Sequence, residues 1–246
     1  MYAFHELFNY QLKLQLQNIN SRLEDERYRI CIDNNDIQEF TQQLPFALTN
    51  AQKRVIDEIA ADLNTPYKMD RLLQGDVGSG KTVVATLSLV KAVENGYQAV
   101  IMAPTEILAT QHYEGITEFC KNLPINIALL TGSTPKKEKD RIYEELANGT
   151  IQLIIGTHAL IQDKVQFKNL GLVIIDEQHR FGVNQRAALQ HKGVYPHVLI
   201  MTATPIPRTM TLSVYGDLAV YLIKEMPPGR KPVKTYVVDS SYKERL

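Results

Sequence analysis

Eight residues constrain this chain more than any others: Gly75-Asp76-Val77-Gly78-Ser79-Gly80-Lys81-Thr82. They fit G-x-x-x-x-G-K-[ST], a spacing whose glycines let the backbone turn until successive amides face phosphate oxygens. Such a loop needs a strand before it and a helix after it, because the helix N-terminus adds its partial positive charge to the cradle. Leu72-Leu73 and the apolar run that opens at Val83 meet both needs. A second feature completes the first. Asp176-Glu177-Gln178-His179 follows Leu172-Val173-Ile174-Ile175, which puts two carboxylates at the C-terminal end of a buried strand. That is the edge at which open α/β sheets bind ligands.

From Thr49 the chain alternates between strand and helix patterns. Strands are expected around Leu72-Leu73, Ala99 to Met102, Ile127 to Leu130, Leu153 to Ile155, Leu172 to Ile175 and Val198 to Met201. Their near-continuous apolar character indicates cover on both faces, hence a mostly parallel sheet flanked by helices. The expected fold class is therefore α/β, a RecA-like P-loop domain preceded by an N-terminal helical segment. Thr49 and Gln52 have capping-box spacing at the start of one helix. Thr134-Pro135 opens another, with Thr134 as its cap, and Asn148-Gly149 stops it. Further upstream, Phe8, Leu12, Leu16, Ile19 and Leu23 recur at helical steps, and a shorter helix is expected over Asp36 to Leu44. This region is too small for a core of its own, so its stripe must lie on the main domain or on something outside the chain. The organisation read from the sequence is a helical segment over 1–45, a nucleotide-binding lobe over 46–226 and a connecting stretch over 227–246. Pro227-Pro228-Gly229 makes the last break, and Lys234 to Asp239 reads as extended.

Composition narrows the partners. Lys and Arg number 27 and so do Asp and Glu, so no global field draws nucleic acid in. Any such contact must be local, through backbone amides, helix N-termini and a few side chains. The two cysteines, Cys31 and Cys120, form no ligand pattern and read as free thiols of a reducing compartment. No signal peptide or long apolar run is recognisable, so a cytoplasmic protein without a membrane partner is expected.

The chemistry follows from the two motifs. Gly75, Asp76, Val77, Gly78, Ser79 and Gly80 form the cradle, Lys81 reaches the β- and γ-phosphates, and the Thr82 hydroxyl ligates Mg²⁺. Asp176 holds the same ion, partly through water, while Glu177 orients and deprotonates the attacking water. The expected cofactors are ATP and Mg²⁺. A small GTPase would need an Asn-Lys-x-Asp segment and a transporter ATPase its glycine-rich signature; neither occurs. A translocase remains.

Leu48-Thr49-x-Ala51-Gln52, the phosphate loop, Ala103-Pro104-Thr105-Glu106, Thr131-Gly132-Ser133, Gly156-Thr157-His158, Asp176-Glu177-Gln178-His179 and Thr202-Ala203-Thr204 occur in one order. That order resembles the first motor lobe of superfamily 2 helicases. LLQGDVGSGKT, MAPTEILATQH, DEQHRFGVNQR and TATPIPRT are most similar to the bacterial ATP-dependent DNA helicases that remodel forks and Holliday junctions in recombination and repair. The resemblance implies that Gln52 reads the adenine edge, beside its capping role, and that Phe46 either stacks on the adenine or belongs to the core. It implies that Pro104, Thr105, Glu106, Gly132, Thr157 and His158 meet the phosphates of one DNA strand, His158 alternatively being a structural histidine. Gln178 and His179 join the catalytic set, and with Thr202 and Thr204 they link the ATP and DNA sites. Arg180 to Arg186 and Arg208 face a second motor lobe.

The same resemblance implies partners outside this chain. They are branched DNA held through its backbone, a second RecA-like lobe whose arginines complete the ATP site, and a DNA-binding wedge domain. Alone, the chain is expected to bind ATP yet have almost no helicase activity. Two alternatives stay open: a lobe of a duplex translocase of the transcription-repair coupling type, and a non-catalytic nucleotide switch.

Overall fold

The computed structural model describes Phe8, Leu12, residues 25–177, 188–189, 192–193, 196–204 and 219–227. Seven strands lie side by side over these residues. They are β1 (Asp70–Gly75), β2 (Gln98–Met102), β3 (Ile127–Leu130), β4 (Leu153–Gly156), β5 (Leu170–Asp176), β6 (His197–Thr202) and β7 (Ala219–Ile223). The spatial order is β3-β4-β2-β5-β6-β1-β7, and every pairing is parallel. Six of the seven coincide with the strands expected from the sequence. The seventh, Ala-Val-Tyr-Leu-Ile, was not anticipated; it becomes an edge strand by pairing with β1, register Leu73 to Tyr221.

Parallel pairing explains the apolar runs. In β5, Leu172 and Ile174 enter one core layer, whereas Val173 and Ile175 enter the other. The first layer is covered by α2 (Asn50–Leu63), α3 (Lys81–Glu94) and α4 (Glu106–Phe119), through residues such as Val55, Ile59, Val84, Leu87 and Ile116. The second lies under α5 (Lys136–Asn148), through Ile142 and Leu146. A strand buried on both faces has no polar alternate positions, which is why β5 is buried along its whole length.

The helix ends test the capping readings. Gln52 N–H donates to Thr49 Oγ1 at 3.2 Å and Thr49 N–H to Gln52 Oε1 at 2.8 Å, so the expected capping box is present. Glu225, just after β7, accepts the Ala51 N–H at 3.1 Å and adds a negative charge to the same N-terminus. Thr134 is a correction. α5 begins at Lys136 with Pro135 in the cap position, and no side chain caps it. The Thr134 hydroxyl instead accepts the Thr131 N–H at 2.9 Å, closing the turn after β3. The stop at Asn148-Gly149 is as expected, with Gly149 at φ 87°.

The upstream helix expected at Asp36 to Leu44 is α1 (Asn34–Gln43), which buries Phe40 and is tied to α3 by a 2.8 Å ion pair from Lys91 to Asp36. Phe8 and Leu12 are helical but 54% and 47% exposed, so the domain does not bury these two positions of the stripe. Leu16, Ile19 and Leu23, and the extended segment expected at 234–239, lie outside the described residues.

Candidate nucleotide and DNA-facing site

Because all the strands are parallel, their C-terminal ends share one edge, and six motif segments lie there. β1 runs into the phosphate loop, β2 into Ala103-Pro104-Thr105, β3 into Thr131-Gly132, β4 into Thr157, β5 into Glu177 and β6 into Ala203. β6 separates β1 from β5, with Leu73 and Asp176 both level with Met201. Two inter-strand steps put Asp176 roughly 10 Å from the end of β1. A lysine side chain and a hydrated cation fit in that gap. A cleft lined by Arg27, Tyr97, Lys168 and Lys192 opens near the start of β5 and β6, where no motif segment ends.

The phosphate loop has the backbone that its glycines permit. Gly78 and Gly80 sit at φ 76° and 86°, a region that side-chain-bearing residues rarely adopt. Asp76 closes the loop locally, accepting the Val77 N–H at 2.8 Å on its side chain and the Ser79 N–H at 3.0 Å on its carbonyl. Lys81 Nζ donates to the carbonyls of Gly75 at 2.6 Å and Asp76 at 3.1 Å, folded over the loop. Burial holds the Lys81 amine below the ordinary lysine value, opposed by the charges of Asp176, Glu177 and Asp76. The register of β1, β6 and β5 brings the two motifs to the same edge of the sheet. Ser79 Oγ is buried without a hydrogen-bond partner, packed against Gly75. Thr82 is half-buried in the first turn of α3.

These residues fit a nucleotide with magnesium. Among the described residues no group of three His, Cys, Asp or Glu gathers to hold a metal. Magnesium suits such a sparse site, because it keeps several waters and takes one or two protein oxygens plus substrate phosphates.

The carboxylates at the end of β5 are held differently. Glu177 has φ 50°, the one described non-glycine residue with positive φ. Its N–H donates to Met201 O at 2.9 Å, and its Oε1 accepts the Ala203 N–H at 3.1 Å. The Thr202 and Thr204 hydroxyls lie 2.9 Å apart, and Gln74 of β1 donates to the Thr204 carbonyl at 3.4 Å. The structure therefore gathers Thr202 and Thr204 with Glu177 and with the strand feeding the phosphate loop. Gln178, His179, Arg180 to Arg186 and Arg208 lie outside the described residues.

Gln52 occupies a position that its motif alone does not disclose. Besides the capping box, its Nε2 donates to the Ser79 carbonyl at 2.7 Å, and the side chain is buried. In this conformation its amide holds the loop from beneath. Phe46 is not a core residue: it is 45% exposed, with its ring edge-on to Phe119 at 6.4 Å. Phe119 is at the end of α4 remote from Thr105.

In the loops after β2 and β3, Thr105 caps α4 through Leu108 N–H at 3.3 Å. The Glu106 carboxylate accepts Ser133 N–H at 3.0 Å and Ser133 Oγ–H at 2.8 Å, and a Cβ added to Gly132 would come within 2.9 Å of it. These bonds keep the Glu106 carboxyl below the usual glutamate range. A carboxylate offers a phosphate no donor, so the Glu106 side chain braces the Gly132 loop, and only its backbone remains for a DNA phosphate. Thr157 is buried with an unpartnered Oγ1, whereas His158 is exposed at the start of a short 3₁₀ turn. Pro104 stands half-buried beside Thr105.

Sequence reasoning missed His112. On α4 it lies 2.7 Å through Nε2 from Asp176 Oδ2, with both side chains about 10% exposed. The residue stands at the end of MAPTEILATQH, yet the string does not say which residue an inward-facing histidine would meet.

Comparison with known proteins gives a consistent result. Residues 49–212 match the DEAD/DEAH box helicase family. The chain is 51% identical over 245 residues to the ATP-dependent DNA helicase RecG of Aquifex aeolicus, covering 99% of this chain and 31% of that protein. It is 49% identical to RecG of Bacillus subtilis, covering 36% of it. It thus spans about a third of the length of these curated relatives. A solved structure of RecG bound to a three-way DNA junction superposes with a TM-score of 0.82 at 48% identity, over 98% of this chain and 32% of that one. A DEAD box protein of Methanococcus jannaschii shares the fold, with a TM-score of 0.58 at 23% identity.

Proposed function

The chain belongs to the DEAD/DEAH box helicase family, and from that premise we propose that it is the ATP-holding motor lobe of a helicase that remodels branched DNA. One observation carries the reading: a wholly parallel sheet delivers the phosphate loop, both carboxylates and the DNA-facing loops to a single edge. The similarity to RecG, whose solved structure holds a three-way junction, supports branched DNA as the substrate. The lobe is assigned to 46–226, with 1–45 as a helical linker and 227–246 as the connection toward a second lobe.

In the proposed reaction the loop amides and Lys81 bind the phosphates. Thr82 and, partly through water, Asp176 would hold magnesium, which would neutralise charge developing on the phosphates. Glu177 is oriented through Oε1 by the Ala203 N–H, and its carboxylate accepts a proton from water. The water oxygen bonds to the γ-phosphorus as the bond to the β-bridging oxygen breaks. Glu177 takes the water proton, and ADP and phosphate leave. Loss of the γ-phosphate is felt through Ala203 at the Thr202–Thr204 segment, and the loops after β2, β3 and β4 carry the change to DNA.

An arginine contributed across the cleft by a second lobe is worth ~10³–10⁵ in rate. The isolated chain should therefore bind ATP–Mg²⁺ and turn it over very slowly. Calorimetric titration of the chain with ATP and Mg²⁺ tests this, alongside Lys81→Ala. Lysine–phosphate bonds are worth about 1.5–3 kcal/mol, so the variant should bind roughly 10–150-fold more weakly. Equal binding by both proteins, or brisk DNA-stimulated turnover by the isolated chain, would sink the reading.

A further inference from the structure

The inward face of α4 is Ala109, His112 and Ile116, at helical steps of three and four. Packing alone would be served by a third aliphatic residue. His112 instead buries an imidazole whose Nε2 lies 2.7 Å from Asp176 Oδ2. Against a carboxylate oxygen the ring nitrogen is the donor. A carboxylate at a strand end is otherwise free to rotate about its terminal torsion, which is broad. This contact fixes that torsion and leaves Oδ1 as the oxygen for other ligands. The helix that carries His112 is capped by Thr105 and begins at Glu106, whose carboxylate braces the loop at Gly132 and Ser133.

We infer that His112 is a positioning residue: it sets the Asp176 carboxylate for magnesium and joins that carboxylate to the DNA-facing end of α4. The inference rests on the functional reading above and adds to it a residue outside both nucleotide motifs. Hydrogen-bonding partners of metal-binding carboxylates typically change metal affinity 10–100-fold when removed. His112 should act within that range on the metal and hardly at all on the nucleotide.

The test uses Mn²⁺ as a paramagnetic probe, read by electron spin resonance and water-proton relaxation, with ATP and the chain. His112→Ala should weaken Mn²⁺ in the ATP complex by about tenfold or more. ATP binding in EDTA should stay within about twofold of the parent. His112→Gln, which returns an N–H donor on a side chain of similar reach, should recover part of the loss. His112→Phe keeps the volume without the donor, and it should reproduce the alanine defect even if the alanine variant folds poorly. Unchanged Mn²⁺ affinity in both donor-less variants would overturn the role of His112 and leave the functional reading standing. An equal loss of metal-free ATP binding would overturn it too, by showing general damage. A parent chain that holds no Mn²⁺–ATP would overturn both.

Discussion

The two halves of the nucleotide site are built by opposite means. The phosphate loop spans eight consecutive residues, and its geometry is mostly local: two positive-φ glycines, the Asp76 turn and Lys81 folded over its own carbonyls. The carboxylate half is assembled across the chain. Asp176 meets His112 over 64 positions, Glu177 meets Ala203 over 26, and Glu106 meets Ser133 over 27. A local cradle tells a reader what it binds. A dispersed one is the half able to transmit, because each of its contacts joins two segments, far apart in the chain, that can shift against each other.

The largest expected effect strikes where the local half depends on a distant residue. A Cβ at Gly80 would overlap Gln52 Nε2, and φ 86° is strained for alanine. Gly80→Ala should therefore cost about 1–3 kcal/mol by denaturant unfolding and weaken ATP. Gln52→Ala should cost about 1 kcal/mol through the lost bond to the Thr49 N–H and free the Ser79 carbonyl. The double variant should be more stable than the sum of the singles implies, since the overlap has gone. Strict additivity would mean that loop and helix are independent and would break the comparison.

Glu106→Ala separates the DNA-facing edge from the metal. Binding of a junction oligonucleotide should fall, while Mn²⁺ affinity measured without DNA should not change. A fall in both would show that the dispersed half is one rigid unit.

The smallest effect concerns Lys81. Its folded-state value is lowered by burial, so between that value and 10.5 the unfolded chain binds more protons than the folded one. This group therefore makes stability rise with pH across that window. Phosphate restores the charged form, so ATP binding in the same window should take up a fraction of a proton, and affinity should fall as pH rises through the lowered value. Titrations in buffers of different ionisation enthalpy would read that fraction. No uptake would mean that the amine is as solvated as an ordinary lysine.

Much of this was legible beforehand. Six strands, the α2 capping box, the phosphate loop and the placing of Asp176 and Glu177 at a strand end follow from periodicity and spacing. Periodicity was silent where partners decide the outcome. β7 is a short apolar run that becomes a strand by lying beside β1. Thr134 has the right residue type for a cap, yet its hydroxyl bonds the Thr131 amide because that turn is nearer. Gln52 suggested an adenine reader and is seen beneath the loop. Glu106 suggested a DNA contact, and its carboxylate braces Ser133.

By itself the sequence determined the strand–loop–helix cradle and the parallel α/β order, since glycine placement, apolar runs and caps act over a few residues. Only the tertiary structure decided that His112 should meet Asp176, Glu106 Ser133 and Gln52 Ser79. Each pair joins segments brought together by sheet order, and sheet order is chosen by the burial of two continuous core layers rather than by any residue within the pairs.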